Sequence, residues 1–150
     1  MTPNNRKLSQ EFAKALSDVV SRAGDLRLAD ILAELEQIKA KFLLLAGKAK
    51  RLRLETRRRV AEWKLKLLCE RDAASKSIER LYASVRRLGF TDLETEATIK
   101  IYLAQHRIRH SRARDARRVL ESLAKKLGSS SRHAHLRQDI ARIMSSLKGL

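Results

Sequence analysis

The chain has 150 residues, 43% of them hydrophobic and 34% charged, and 34 Lys and Arg against 17 Asp and Glu leave a net charge of +17. That length predicts one domain with a modest core, and a hydrophobic share close to the globular norm excludes reading the charge excess as disorder. The lone Cys69 excludes an internal disulfide and no apolar run is long enough to cross a bilayer, so a cytoplasmic protein of a reducing compartment is expected.

The elements read as helices throughout. Pro3 and five Gly are the only strong breakers, and period-two clusters of β-branched or aromatic residues are absent. The polar N-terminal stretch, with Glu11 and Asp18, does not read as a secretory signal. Thr2-Pro3 suits a helix start, after which Leu8, Phe12, Ala15, Leu16 and Val19 share one face until Gly24, with Asp25 as a cap for the next helix. Apolar residues then recur at steps of three and four from Leu28 through Ile31, Leu35, Ile38, Phe42, Leu45 and Ala49 to Leu52, a coiled-coil seam. A stutter at Thr56 precedes Val60, Trp63, Leu67, Ala74, Ile78, Leu81, Val85 and Leu88. Residues 26–88 therefore form either one long helix or, if Gly47 is a C′ residue, a hairpin of 26–45 against 49–88. Either form needs a helical partner from this chain or from a second copy.

Gly89 closes that segment, and Thr91-Asp92-Leu93-Glu94 reads as a capping box with Thr91 at N-cap. Ile99, Tyr102 and Leu103 are the buried face of the next helix. Within HRIRHSRARD a break is expected near Ser111, acting as N-cap, because a straight continuation would place Arg109 on the face of Ala116, Leu120 and Leu123. Gly128 and the three Ser after it are a linker, and Leu136, Ile140, Ile143 and Leu147 mark a last helix. The expected architecture is all-α: an elongated helical bundle in which a long coiled-coil-like helix or hairpin over about 26–88 precedes three short amphipathic helices. It is read as a single domain over 1–150, with a near-neutral segment over residues 1–47, a basic long helix over 48–89 and a C-terminal helical segment over 90–150.

Charge follows the same division. Residues 1–47 carry seven bases and six acids (+1), 48–89 fourteen and five (+9), and 90–150 thirteen and six (+7). Of the 34 bases 21 are Arg, whose planar guanidinium suits phosphate and carboxylate. On the helical wheel one flank of the 48–71 seam is self-neutralised by Glu55–Arg59 and Glu62–Lys66 pairs at i,i+4, while Lys50, Arg53, Arg57, Lys64 and Arg71 form a stripe without an acid. A second patch gathers Arg107, Arg109, Arg112, Arg114, Arg117 and Arg118 around Asp115 alone.

These stripes point to a non-enzymatic nucleic-acid-binding protein that contacts the phosphate backbone with little sequence discrimination. Lys50, Arg53, Arg57, Lys64 and Arg71 form one track, and Arg107, Arg114, Arg117 and Arg118 a second. Phe12, Phe42, Trp63 and Tyr102 fall on apolar seams, which argues against single-strand stacking. The alternative is a helical adaptor or scaffold that pairs through its seam, with itself or another chain, and docks on an acidic protein. Attachment to anionic lipid ranks last, since no helix joins a basic face to exposed Trp or Phe. No catalytic constellation is evident, and no cofactor or metal is expected. His106 and His110 have the i,i+4 spacing of zinc ligands, but a third ligand is missing from the pattern and the surrounding Arg would repel a cation.

Overall fold

Thr2 opens the first helix: its Oγ1 accepts the Asn5 N–H at 3.1 Å, and Pro3 sits in the first turn where a missing N–H costs nothing. In the computed structural model, which describes residues 2–148, seven α-helices follow one another. They are α1 (Pro3–Ser21), α2 (Leu28–Ala46), α3 (Lys50–Glu70), α4 (Ser75–Leu88), α5 (Leu93–Arg109), α6 (Ala113–Leu127) and α7 (Ala134–Ser146), with short 3-10 turns at Ala23–Asp25 and Ser131–His133.

The seam over 26–88 is neither one helix nor a two-helix hairpin. Gly47, at φ 56°, folds α2 back on α3 as the hairpin reading requires. The second arm, however, stops at Glu70. Arg71 caps it, Asp72 takes the left-handed conformation at φ 53°, and Ala73 N–H returns to Leu68 O at 2.9 Å while Asp72 N–H bonds Cys69 O. This is a Schellman closure with Asp in the position usually held by Gly. The same device ends α5, where Ser111 lies at φ 61° and Arg112 N–H reaches Arg107 O at 2.7 Å. The expected break is therefore present, but Ser111 closes α5 and does not cap α6.

Two further caps differ from the sequence reading. Asp92, not Thr91, caps α5 through Thr95 N–H at 2.7 Å. Thr91 is drawn aside by Glu62, which accepts its N–H at 2.7 Å and its hydroxyl at 2.6 Å. The N-cap of α2 is Arg27, and Asp25 belongs to the 3-10 turn before it.

Three apolar clusters hold the helices together, and α3 and α5 each belong to two of them. Phe12, Leu16, Ile31, Leu35 and Phe42 of α1 and α2 enclose Val60 and Leu67 of α3, and the rings of Phe12 and Phe42 meet edge to face at 5.4 Å. Leu65 and Cys69, on another side of α3, pack with Ile78, Tyr82 and Val85 of α4 and Ile99 and Leu103 of α5. Ala97, Ile101 and Ala104 of α5 join Ala116, Leu120 and Leu123 of α6 and Leu136 and Ile140 of α7. Because α3 is covered on two sides, its flanks are not the open surfaces that a single seam implies. The partner of the α2 seam lies within the chain.

Candidate polyanion-binding surface

Arginine meets backbone oxygen repeatedly at helix ends. Arg53 donates to Leu43 O at 2.9 Å and Gly47 O at 3.2 Å, closing α2. Arg58 Nε donates to Leu88 O, the last residue of α4, at 2.7 Å. Arg109 reaches Cys69 O near the end of α3 at 2.9 Å, and Arg117 reaches Leu147 O, the cap of α7, at 3.0 Å. Arg71 holds Ala23 O and Leu26 O around the first 3-10 turn, and Arg137 holds Ser130 O. The last carbonyls of a helix have no intrahelical donor and carry the negative end of its dipole, so a guanidinium from a neighbouring helix satisfies both needs. A share of the basic excess is thus structural, a use that composition does not reveal.

Most acids near the basic segments are spent inside the fold. Glu79 accepts from Arg107 Nε and Nη2 at 2.9 Å each and from Arg112 Nη1 at 3.0 Å. Glu96, 6% exposed, takes Lys100 at 2.7 Å and Lys126 at 2.8 Å. Burial acts to raise both carboxyls, but these cations outweigh it and hold Glu79 and Glu96 below the ordinary range. Glu62 goes the other way: burial lifts its carboxyl despite the Thr91 bonds. Glu36 pairs with Lys39 and Lys64. Neither expected i,i+4 pair on α3 forms among the described residues, since Glu55 accepts from Ser9 and Glu62 from Thr91.

The two expected tracks therefore come apart. In the first, Lys50 and Arg57 are exposed and make no hydrogen bond or ion pair among the described residues. Arg53 and Arg71 are committed to carbonyls, and Lys64 is half-buried against Glu36, its ammonium pushed down by burial. In the second, Arg107 departs furthest from expectation, being 9% exposed and gripped by Glu79. Arg114 and Arg118 are exposed and unpaired among the described residues, and Arg117 is exposed but holds Leu147 O. Glu121 interrupts their face at i,i+3 from Arg118.

What the charge pattern of 48–71 concealed is the outer face of α4. Ile78, Tyr82 and Val85 turn inward, which places Lys76, Arg80, Ala83 and Arg87 on the opposite side within about 60° of one another. All four are exposed. Arg86 is exposed on the flank, its guanidinium over the Tyr82 ring at 5.6 Å, and Arg87 touches only Ser84, at 3.2 Å. The single acid of α4, Glu79, is occupied by Arg107 and Arg112. The steps of four, three and four that carry this face were present in the sequence, hidden by counting 71–88 as the end of one seam. Ser84, which Arg87 touches, and Leu88 line a groove of about 400 Å³ on the flank of α4, shared with Arg57 of α3 and Lys39 of α2.

Other concavities fit a polyanion poorly. A cleft of about 250 Å³ at the start of α5 offers Arg59 and Lys66, but Asp92 caps the helix there and Glu62 and Glu94 also line the space. Trp63 and Tyr102 lie beneath the Lys66 ammonium, at 4.6 and 5.4 Å, and present no stacking platform. No helix of the described residues is long and apolar enough to cross a membrane. No protein-family model, curated protein or solved structure matches this chain.

Proposed function

We propose that the protein binds nucleic acid through the phosphate backbone, with the outer face of α4 and the adjoining Arg57 as the principal contact. The observation that carries this reading is the row Lys76, Arg80 and Arg87, exposed on a helix whose single acid is held inside the fold. Like charges on one helix face repel, and among the described residues only Arg87 has a partner within the chain, the neutral Ser84 hydroxyl. The row spans about 17 Å, enough to bridge the backbones on either side of a major groove about 12 Å wide. Arg114 and Arg118 on α6 are a secondary contact, weakened by Glu121. With Trp63 and Tyr102 covered by Lys66 and Phe12 and Phe42 buried, a duplex fits better than a single strand.

Fluorescence anisotropy with labelled duplex, titrated across salt, tests this. Five contacts from Arg57, Lys76, Arg80, Arg86 and Arg87 predict a log–log slope near about −4.5, at about −0.9 per phosphate. Arg80→Glu with Arg87→Glu should flatten the slope by about two and weaken binding strongly, while Arg53→Ala should leave the slope unchanged. Equal slopes for wild type and the double variant would sink the proposal.

A second reading rests on a separate observation. Leu44 is 83% exposed, and Leu45 and Leu54 are exposed as well, on the stretches of α2 and α3 next to their shared turn that also carry the exposed Lys41, Lys48, Lys50 and Arg51. Apolar anchors ringed by bases suit an acidic protein partner. If duplex binding is shallow, Leu44→Ser with Leu54→Ser in a nuclease-resistant pull-down is the deciding experiment.

A further inference from the structure

The spacing of His106 and His110 lacked a third ligand in the sequence, and the fold supplies one. Asp72, in the left-handed position that ends α3, brings its Oδ1 to 2.9 Å from His110 Nε2 and 3.4 Å from His106 Nε2. All three ligand atoms lie within 4.8 Å of one another. Zinc bonds of about 2.0–2.2 Å in a tetrahedron require donor atoms about 3.3–3.5 Å apart; the Asp72–His106 separation of 3.4 Å meets this, and the Asp72–His110 separation of 2.9 Å must open by about half an ångström. The Ala73 carbonyl lies 2.9 Å from the same His106 Nε2 and offers a fourth oxygen, or leaves that place to water.

We infer that Asp72, His106 and His110 form a binding site for a divalent transition-metal ion of the zinc type. Two imidazoles and one carboxylate select zinc, cobalt or nickel over calcium and magnesium, which prefer all-oxygen shells. His106 is 2% exposed and sits at the base of the site, while Asp72 and His110 stand at its mouth and leave an entry path. The two rings stack at 4.2 Å, which turns both Nε2 atoms toward one carboxylate. In the chain without the ion each Nε2 carries the hydrogen that the Ala73 carbonyl or the Asp72 carboxylate accepts; on binding, a neutral ring gives up that bond, carries its hydrogen on Nδ1 and presents the Nε2 lone pair, so it releases no net proton. Arg109 reaches Asp72 at 3.4 Å: it orients the carboxylate and opposes the ion's charge, which makes this a weaker site than a closed four-residue zinc centre. The bound ion would tie the α3–α4 turn to the end of α5, fixing the helix that carries the basic face.

Isothermal titration of the metal-free full chain with Zn²⁺, and visible absorption with Co²⁺, test the site. One ion per chain and tetrahedral cobalt bands are expected, with a melting temperature that rises with zinc. Asp72→Asn keeps a residue that tolerates the left-handed backbone, and His110→Gln changes an exposed side chain, so both should fold. Losing outer partners alone costs about 10–100-fold in affinity, and each of these variants should lose at least as much. His133→Gln with His135→Gln should bind as wild type does. No saturable zinc binding, unchanged affinity in both ligand variants, or a loss confined to the His133/His135 variant would each overturn the site. Should Asp72→Asn fail to fold, His110→Gln decides alone.

Discussion

Replacing Glu79 by Ala removes the one carboxylate that holds α4 against α5 and the α6 cap. Three charge-assisted hydrogen bonds disappear, two from Arg107 and one from Arg112. The consequence differs for the two arginines. Arg112 has a side chain 39% exposed and keeps Asp115, so its loss is small. Arg107 has a side chain only 11% exposed and no other ion pair among the described residues, Asp115 acting on it only from a distance, so its guanidinium stays largely desolvated and without a direct partner. Breaking a fully buried pair costs about 3–5 kcal/mol, but Glu79 is itself 29% exposed and the truncation admits water, which brings the figure to about 2–3 kcal/mol. For a chain of this size that corresponds to a fall in melting temperature of roughly 5–10 °C. Urea unfolding followed by circular dichroism measures it, with Arg112→Ala as the comparison at about 1 kcal/mol or less. Equal losses in the two variants, or a loss below about 1 kcal/mol for Glu79→Ala, would refute the claim that Arg107 is a structural residue.

Gly89→Ala should cost about 2 kcal/mol by thermal denaturation, because φ is 83° and the new Cβ would lie 2.9 Å from Arg58 Nη2, whose guanidinium is anchored on Leu88 O. Gly24→Ala, with nothing within 4 Å and no left-handed φ, should stay within about 0.5 kcal/mol; similar losses at both sites would contradict this account. Glu62 carries a pH signature of opposite sign to those of Glu79 and Glu96. Burial raises its carboxyl above the ordinary 4.5, so its contribution is fully present below the unfolded-state value and is lost as pH rises through the folded one. Stability of Glu62→Gln relative to wild type should therefore improve between about pH 4 and 7, whereas a difference constant over that range would show the carboxyl to be unperturbed. Glu79 and Glu96, depressed in both proteins, cancel in the comparison.

Much of the helical framework was legible because its signals are local. Pro3, Gly47, Gly89 and Gly128 stand at helix ends, and Phe12, Leu35, Ile78, Leu120 and Ile140 are buried where their spacing put them. The helix end at Asp72 was not legible, and at Ser111 the break was legible but not that Ser111 closes α5, since a left-handed residue other than Gly leaves no compositional mark. The fate of the bases was less legible still. A helical wheel places Arg53, Arg58 and Arg71 beside a seam but cannot show that Leu43, Leu88 and Ala23 offer them carbonyls. Arg71 and Ala23 lie 48 residues apart, and only the folding of α3 against the α1–α2 turn brings them together. The same holds for Arg107 with Glu79 and for Asp72 with the two histidines, separations of 28 and more than 30 residues. Sequence periodicity determined which faces are apolar and how much charge the chain carries. Tertiary structure alone decided which charges are spent on the fold and which, as on α4, stand exposed at the surface, because pairing depends on distances between helices that no local pattern encodes.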